Sequence, residues 1–458
     1  MNTLLVHQFH DILPGTCIRS VHEETYRAMG DAIDRADALT AETLRGAGDT
    51  LRIYNPVSFE RTDVLHLKGT FEGIRGALTQ PYTDMDGTAR TAVSGLKLPA
   101  FGSCEILPGP ASSAPSPFRM DGDRLVTPFA EIVFDDRGAM QSFVDRRNGR
   151  ELAAGLPLNT FLLAEDLPAD WDNWDVDADL EDKFAPAGKM LSRSVVSDGP
   201  VELRIRSVYQ LTEKTTVTQD MVFDAASPLI TFETRMDWQD DHRFLKAAFD
   251  TAVRADGVRS EIQFGCIRRA NTRSNSVEKA RFETCNHKYS DLSEQNYGAA
   301  VLNDSKYGIS VRGGSMRLSL HKGGVRPDRG GDRGTHVCRY AFLPHAEGFG
   351  AESVVRPAYL FNYLPIEIAG GAELQAPVTV DTPNVIIETV KPCEDTQRAY
   401  IVRAYEAVGS YVNARFSFSH PVRALHLCSM LEEEQEELRA DGNVAFGPFR
   451  IITLKVSY

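Results

Sequence analysis

What this sequence lacks narrows its chemistry first. No run of apolar residues approaches the roughly 20 needed to cross a bilayer as a helix, and the opening MNTLLVHQFHD carries no basic segment followed by a long apolar one of the kind that directs export. A cytoplasmic setting and no membrane contact are therefore expected. Lysine and arginine form no long run, and the formal net charge is −14; a field of that sign repels phosphate backbones and argues against a nucleic-acid partner. The cysteines, Cys17, Cys104, Cys266, Cys285, Cys338, Cys393 and Cys428, are odd in number, widely spaced and without a CxxC pair. They describe neither a disulfide framework nor a cysteine zinc knuckle, and they read as reduced, mostly buried thiols.

Familiar catalytic signatures are missing as well. His22-Glu23-Glu24 begins like HExxH, but Tyr26 stands where the second histidine is required, and neither Ser310 nor Ser315 has the flanking glycines of a GxSxG elbow. The stretch HKGGVRPDRGGDRG (321–334) is not followed by a helical pattern, so it has no helix N-terminus with which to cradle a phosphate. It reads as a loop between strands.

What is present divides the chain into a helical start and a long β remainder. With 458 residues, 42% hydrophobic and 25% charged, the chain has the size of about three domains and an ordinary globular composition. After the Pro14-Gly15 turn, Ile18, Val21, Met29, Ile33, Ala36, Leu39 and Leu44 recur at three-and-four spacing, which predicts a helix capped by Thr16, ended by Gly46 and Gly48 and about 40 Å long. Its apolar stripe needs a cover, either helices from elsewhere or the β region that follows.

From about residue 50 the period changes to two, with β-branched and aromatic residues between turn signals. LRIYNPVSFERTDVLHLKG (51–69) reads as two strands joined at Asn55-Pro56, AEIVFDDRGAMQSFVD (130–145) as a hairpin around Asp136-Arg137-Gly138, and PGPASSAPSP (108–117) as a linker. There is no second long helical segment and no repeat. The expected fold is mainly β: a long N-terminal helix, the remnant of a helical bundle, followed by packed antiparallel β-sandwich domains. The divisions expected are a helical segment at 1–48, a small β domain at 49–110, a large sandwich at 118–370 and a terminal sandwich at 371–458.

Three polar features remain. His10 beside Asp11 pairs a good Zn²⁺ ligand with a carboxylate able to orient it or to bind a hydroxyl, although one histidine cannot hold zinc, since catalytic sites use about three protein ligands. In PADWDNWDVDADLED (168–182), Trp171 and Trp174 alternate with aspartates. Indole faces stack on sugars and carboxylates accept hydroxyl hydrogen bonds, yet the same pattern suits a solvated acidic loop with its tryptophans tucked into the sandwich. In RPDRGGDRGTH (326–336) the arginines and aspartates could reach a polar ligand, but such groups more often form surface ion pairs worth about 0–1 kcal/mol each, and that reading is favoured.

HQFHDILPG (7–15) followed by a long helix resembles the segment of glycoside hydrolase family 38 α-mannosidases that follows their catalytic barrel. The likeness continues in order through IYNPVSFERTDV, WDNWDVD, DWQDDHRFLKAAFD, FGCIRRANTRSN, ARFETCNHKYSDLSEQNYGAAVLNDSKYGISVRG, PDRGGDRGTH and YAFLPH. The resemblance implies retaining hydrolysis of α-mannosides, with a carboxyl pair about 5–5.5 Å apart and one divalent metal, usually Zn²⁺. It further implies that His10 is a metal ligand and that Asp11 contacts substrate; Trp171 and Trp174 are candidate substrate-binding residues on their own side-chain chemistry. The nucleophile and acid/base belong to a barrel that these residues do not show, so no catalytic residue is expected in this chain. The partners implied are an α-mannoside or oligosaccharide, the missing N-terminal barrel and, possible from the family's habit, a second copy. A non-catalytic carbohydrate-binding protein and one subunit of a split glycosidase are the alternatives.

Overall fold

The computed structural model describes residues 2–458. A short helix α1 (Asn2–Val6) leads through a turn-rich segment into α2 (Arg19–Thr43). Thr16 does not cap α2. The N-cap is Ile18, in extended conformation and without a side-chain cap, because Thr16 folds back on the turn before it: its hydroxyl donates to the Asp11 carboxylate (3.3 Å) and its N–H to the Asp11 carbonyl (3.0 Å). At the far end the Gly46 N–H donates to the Gly370 carbonyl (2.7 Å), and a β-carbon on Gly46 would lie 2.9 Å from the Ala372 nitrogen, so only glycine allows the helix to close onto that strand. No residue of α2 is buried, and Ile18, Ile33 and Leu39 are more than half exposed. The β region does not cover the predicted stripe.

The two strands expected around Asn55-Pro56 form, but not as a hairpin. Leu51–Tyr54 pairs with Ser103–Glu105 and Ile366–Ala369, whereas Leu65–Lys68 belongs to a separate sheet with Ala89–Ser94 and Leu78–Thr83. The connection between them is a built loop rather than a tight turn. Asn55 is buried and donates to the carbonyls of Phe59 (2.8 Å) and Pro99 (3.0 Å), Ser58 accepts the Ile387 N–H (3.1 Å), and Arg61 donates to the carbonyls of Leu360 and Tyr363 (2.7 Å each).

The hairpin at 130–145 is present as Ala130–Phe134 against Met140–Asp145, with Gly138 at φ +76°, and residues 109–118 carry no regular structure. Beyond them lie a nine-stranded and a six-stranded antiparallel sheet. Their inner faces alternate as period two demands: in Ile230–Trp238 every second residue is buried, and Phe232, Phe249, Tyr340 and Phe342 stack between the sheets, Phe249 on Phe342 with centroids 5.1 Å apart. A terminal sandwich follows, Val385–Pro392, Ala399–Glu406, Ile451–Ser457, Ala424–Cys428 and Glu434–Leu438 facing Val378–Val380, Val412–Phe418 and Asn443–Phe446. Among the described residues no series of strands alternates with long helices; the helical pieces between strands, at 178–182, 276–280 and 351–362, are short.

One apolar cluster binds the parts together. Val57 and Phe59 from the first loop, Leu302 and Leu343 from the large sandwich, Val354 and Tyr359 from the short helical stretch at 351–362, and Ile386 and Tyr405 from the terminal sandwich share it. All seven cysteines are free thiols, but only Cys17, Cys338 and Cys428 are buried and Cys285 is exposed, so the expectation of mostly buried thiols fails. No helix among the described residues is long and apolar enough to cross a membrane.

Candidate functional site

An open cleft of about 1550 Å³ lies where the segment before α2 meets the large sandwich; its walls are His10, Asp11 and Thr16, the loop 167–175, His242, and the loop 325–329. All four residues singled out from sequence, His10, Asp11, Trp171 and Trp174, meet in it.

The acidic loop is held from below. Lys322, at the end of the strand Ser315–Lys322, donates to the Asp172 carbonyl (2.6 Å) and pairs with the Asp166 carboxylate. Burial raises the Asp166 carboxyl above its ordinary value despite the opposing ammonium of Lys322. The side chain of Asp172 turns inward: one oxygen accepts the Val325 N–H (2.8 Å) and faces His242 Nε2 (3.2 Å), and the other is buried without a hydrogen-bond partner. A β-carbon on Gly324 would sit 2.0 Å from Asn173 Oδ1, so the two loops pack this closely only with glycine there.

Above this base the loop turns its tryptophans out. Trp171 adopts a left-handed φ of +58°, and its carbonyl accepts from the N–H groups of Trp174 (2.7 Å) and Asp175 (2.9 Å). Asp177 closes the loop by accepting the Ala169 N–H (2.8 Å). Trp171 is 74% exposed and Trp174 53% exposed, which rules out the alternative that they are tucked into the sandwich. The tryptophan that does fill the sandwich is Trp238, whose indole N–H donates to the Asp240 carbonyl (2.7 Å).

His10 stands at the opposite wall, its side chain 68% exposed, with Nε2 4.0 Å from the Asp11 carboxylate and its ring edge-on to Trp174. Thr16 orients Asp11 through its hydroxyl. Among the described residues no group of three or more His, Cys, Asp or Glu side chains could hold a metal ion. One imidazole and one neighbouring carboxylate do not make the three-ligand set of a catalytic zinc site, so these residues by themselves do not fit a complete metal centre.

The stretch 326–336 divides in two. Asp328 pairs with Arg19 (3.4 Å) and Arg333 with Asp241, as surface ion pairs, but Arg326 and Arg329 line the cleft. The cleft thus takes the ligand-reaching alternative for these two arginines rather than the favoured ion-pair reading; Thr16 and His242 carry no local signal that marks them as site residues. Asp172 was read with its neighbours as a hydroxyl acceptor, and the structure spends one of its oxygens inside the protein.

Comparison with known proteins follows the same outline. Residues 1–46 match the alpha mannosidase middle domain, residues 125–330 the glycosyl hydrolases family 38 C-terminal domain, and residues 384–454 the family's C-terminal beta sandwich domain. The chain belongs to glycosyl hydrolase family 38, as the part running from the middle domain through the C-terminal sandwiches. It is 32% identical to Alpha-mannosidase 2C1 of Homo sapiens over 98% of its own length and 44% of that protein's. It is 26% identical to Alpha-mannosidase G of Dictyostelium discoideum over 99% of its length and 47% of that protein's. The chain thus spans less than half the length of these curated relatives. The crystal structure of an alpha-mannosidase from Enterococcus faecalis V583 superimposes with a TM-score of 0.76 at 15% identity, covering 99% of this chain and 62% of that one, which shows a shared fold.

Proposed function

We propose that this chain is the C-terminal portion of a retaining, metal-dependent α-mannosidase that hydrolyses terminal α-mannosides in carbohydrate catabolism, and that the isolated portion does not turn over. The observation that carries this reading is the exposed His10-Asp11 pair, aimed into a cleft whose own residues provide too few ligands for a metal. In this reading His10 gives one ligand to a Zn²⁺ ion, and the remaining ligands, the nucleophile and the acid/base come from a βα barrel outside these residues. Asp11 contacts the sugar, and Trp171 and Trp174 offer it apolar faces. Seven free thiols support a cytoplasmic setting. The test is cleavage of an aryl α-mannoside by the purified chain with and without added zinc. No turnover is expected; zinc-dependent turnover that disappears in His10→Ala would place the catalytic carboxylates within these residues and overturn the division of labour.

The exposure of Trp171 and Trp174 also supports a second reading, a non-catalytic carbohydrate-binding protein. Titration with mannose, followed by tryptophan fluorescence, separates the two. A saturable change lost in Trp174→Ala supports binding in its own right, and a flat titration leaves the catalytic-fragment reading.

A further inference from the structure

A second cavity, of about 400 Å³, opens on another part of the molecule, where three parts of the fold meet. Glu261, His287 and Lys288 come from the large sandwich, Tyr359 and Tyr363 from the short helix Arg356–Asn362 and its C-cap, and Glu388 from the terminal sandwich. It shares no residue with the cleft at His10.

Its walls are arranged rather than incidental. Tyr359 and Tyr363 lie with their rings nearly parallel, 12° between planes and 5.4 Å between centroids. The Tyr359 hydroxyl donates to Glu388 (2.9 Å) and lies 2.6 Å from the hydroxyl of Tyr405. Burial, with Glu388 next, pushes the Tyr363 phenol up to about 12, so that it stays a hydrogen-bond donor across the physiological range. Lys288 Nζ sits over the Tyr359 ring at 4.7 Å and donates to Glu261 (2.8 Å). Tyr363, 37% exposed, and Tyr307, 49% exposed, present aromatic surface to the opening.

The charges choose among ligands. The Lys288 ammonium already occupies the cation position on the tyrosine pair, so a second cation there would meet like charge. Its own charge is matched by Glu261, while among the described residues no cation pairs with Glu388; a bound anion would face that carboxylate. What remains favourable is a neutral molecule with vicinal hydroxyls, which a carboxylate can accept in pairs, and with C–H faces that pack on tyrosine rings. The volume falls in the range of small-molecule sites, about 300–1,000 Å³.

We infer that this three-way junction is an ancillary binding site for a neutral saccharide, with Tyr363 as its stacking face and Glu388 as its hydroxyl acceptor. The assignment comes from the pocket's own chemistry and does not depend on the hydrolase reading above.

The test uses the full chain carrying Trp171→Ala and Trp174→Ala, so that the cleft's own stacking faces do not contribute. Methyl α-D-mannopyranoside, methyl α-D-glucopyranoside and methyl α-D-galactopyranoside are the probes, and saturation-transfer NMR with titration the readout. At least one glycoside is expected to bind saturably and to weaken tenfold or more when Tyr363→Ala or Glu388→Gln is added. Glu388→Gln keeps an acceptor for Tyr359, and its thermal unfolding, matched to the parent, guards against a folding artefact; where Tyr363→Ala unfolds, Glu388→Gln decides. Absence of binding by all three glycosides, or binding indifferent to Glu388→Gln, overturns the proposal. Inorganic phosphate or tetramethylammonium binding more strongly than every glycoside overturns it too, since the site would then select charge.

Discussion

The imidazole of His10 meets the indole of Trp174 edge-on, ring centroids 6.2 Å apart and planes at 87°. A residue from the helical start and one from a sandwich loop thus form facing walls of one cleft, and the contact makes Trp174 a reporter on His10. Zn²⁺ bound at the ring should alter Trp174 emission. Because the ligand set is one imidazole with a carboxylate 4.0 Å away, the expected change is weak, unsaturated at micromolar zinc and absent from His10→Ala. Tight binding that survives His10→Ala would reveal a complete metal centre elsewhere. His10→Ala should leave stability within about 0.5 kcal/mol, as for surface changes away from buried contacts.

Asp172 ties the tryptophan loop to the loop at 325. Replacing it with alanine removes the acceptor of the Val325 N–H and the carboxylate facing His242, and leaves a partly buried amide without its protein partner. The expected cost is about 1–3 kcal/mol. Amide hydrogen exchange localises it: Val325 should exchange at least tenfold faster in Asp172→Ala. An unchanged Val325 amide would mean that the loop is held by Lys322 alone.

How much of this was legible depends on how local each cause is. Strands could be read because their signal lies inside each segment: strict alternation in Ile230–Trp238, and apolar and β-branched enrichment in Glu202–Gln210 and Thr216–Asp224, which are buried over much of both faces. The hairpin at Gly138 was legible for the same reason, its turn chemistry lying in three adjacent residues. What failed depended on distant partners. Thr16 has the chemistry of a cap, but Asp11 takes its hydroxyl; Asn55-Pro56 reads as a turn joining two strands, but those strands enter different sheets, and Ser58 and Arg61 bind residues some 300 positions away. His10, Asp11, Trp171 and Trp174 carried their chemistry in their own side chains and could be named, while Arg326, Arg329 and His242 join the cleft only through tertiary folding.

Arg204 anchors a buried charge network between the small sheet and the large sandwich. Fully buried, it pairs with Glu202 and Glu233, lies 3.9 Å from Asp220 and stacks on Tyr82 at 4.0 Å, while Glu202 also meets His66 at 2.8 Å. Burial alone would raise the Glu202 carboxyl, but the charges of His66 and Arg204 and their hydrogen bonds hold it down at about 2. Its stabilising contribution is therefore complete above the ordinary value of 4.5 and disappears as pH falls from there toward 2. Arg204→Met leaves carboxylates uncompensated, and the expected loss is about 3–5 kcal/mol at neutral pH. Urea melts should show the deficit narrowing toward pH 4, as Glu202 takes up a proton in the variant. A deficit independent of pH would assign Arg204 a packing role only.

Asp224 acts in the opposite direction. Burial lifts its carboxyl from 3.8 to about 7, so its contribution is full below the ordinary value and is lost as pH rises toward 7. Asp224→Asn keeps an acceptor for the Ala226 N–H and should stabilise the chain at pH 8 while leaving it unchanged near pH 3. Equal effects at both pH values would show that the carboxyl is not shifted.

The uncovered stripe makes the last prediction. Phe9, Leu13, Ile18, Ile33 and Leu39 are all more than half exposed, and α2 buries none of its residues. Exposed apolar side chains gathered on one segment favour association. The purified chain should therefore bind a hydrophobic dye and elute larger as concentration rises, whereas the double variant Ile33→Glu, Leu39→Glu should do both less. Since neither side chain has a buried contact to lose, thermal unfolding of the sandwiches should not move. Dye binding and elution unaffected by the two glutamates would place the sticky surface elsewhere, and a fall in the unfolding temperature would show that α2 packs on the β region in solution after all.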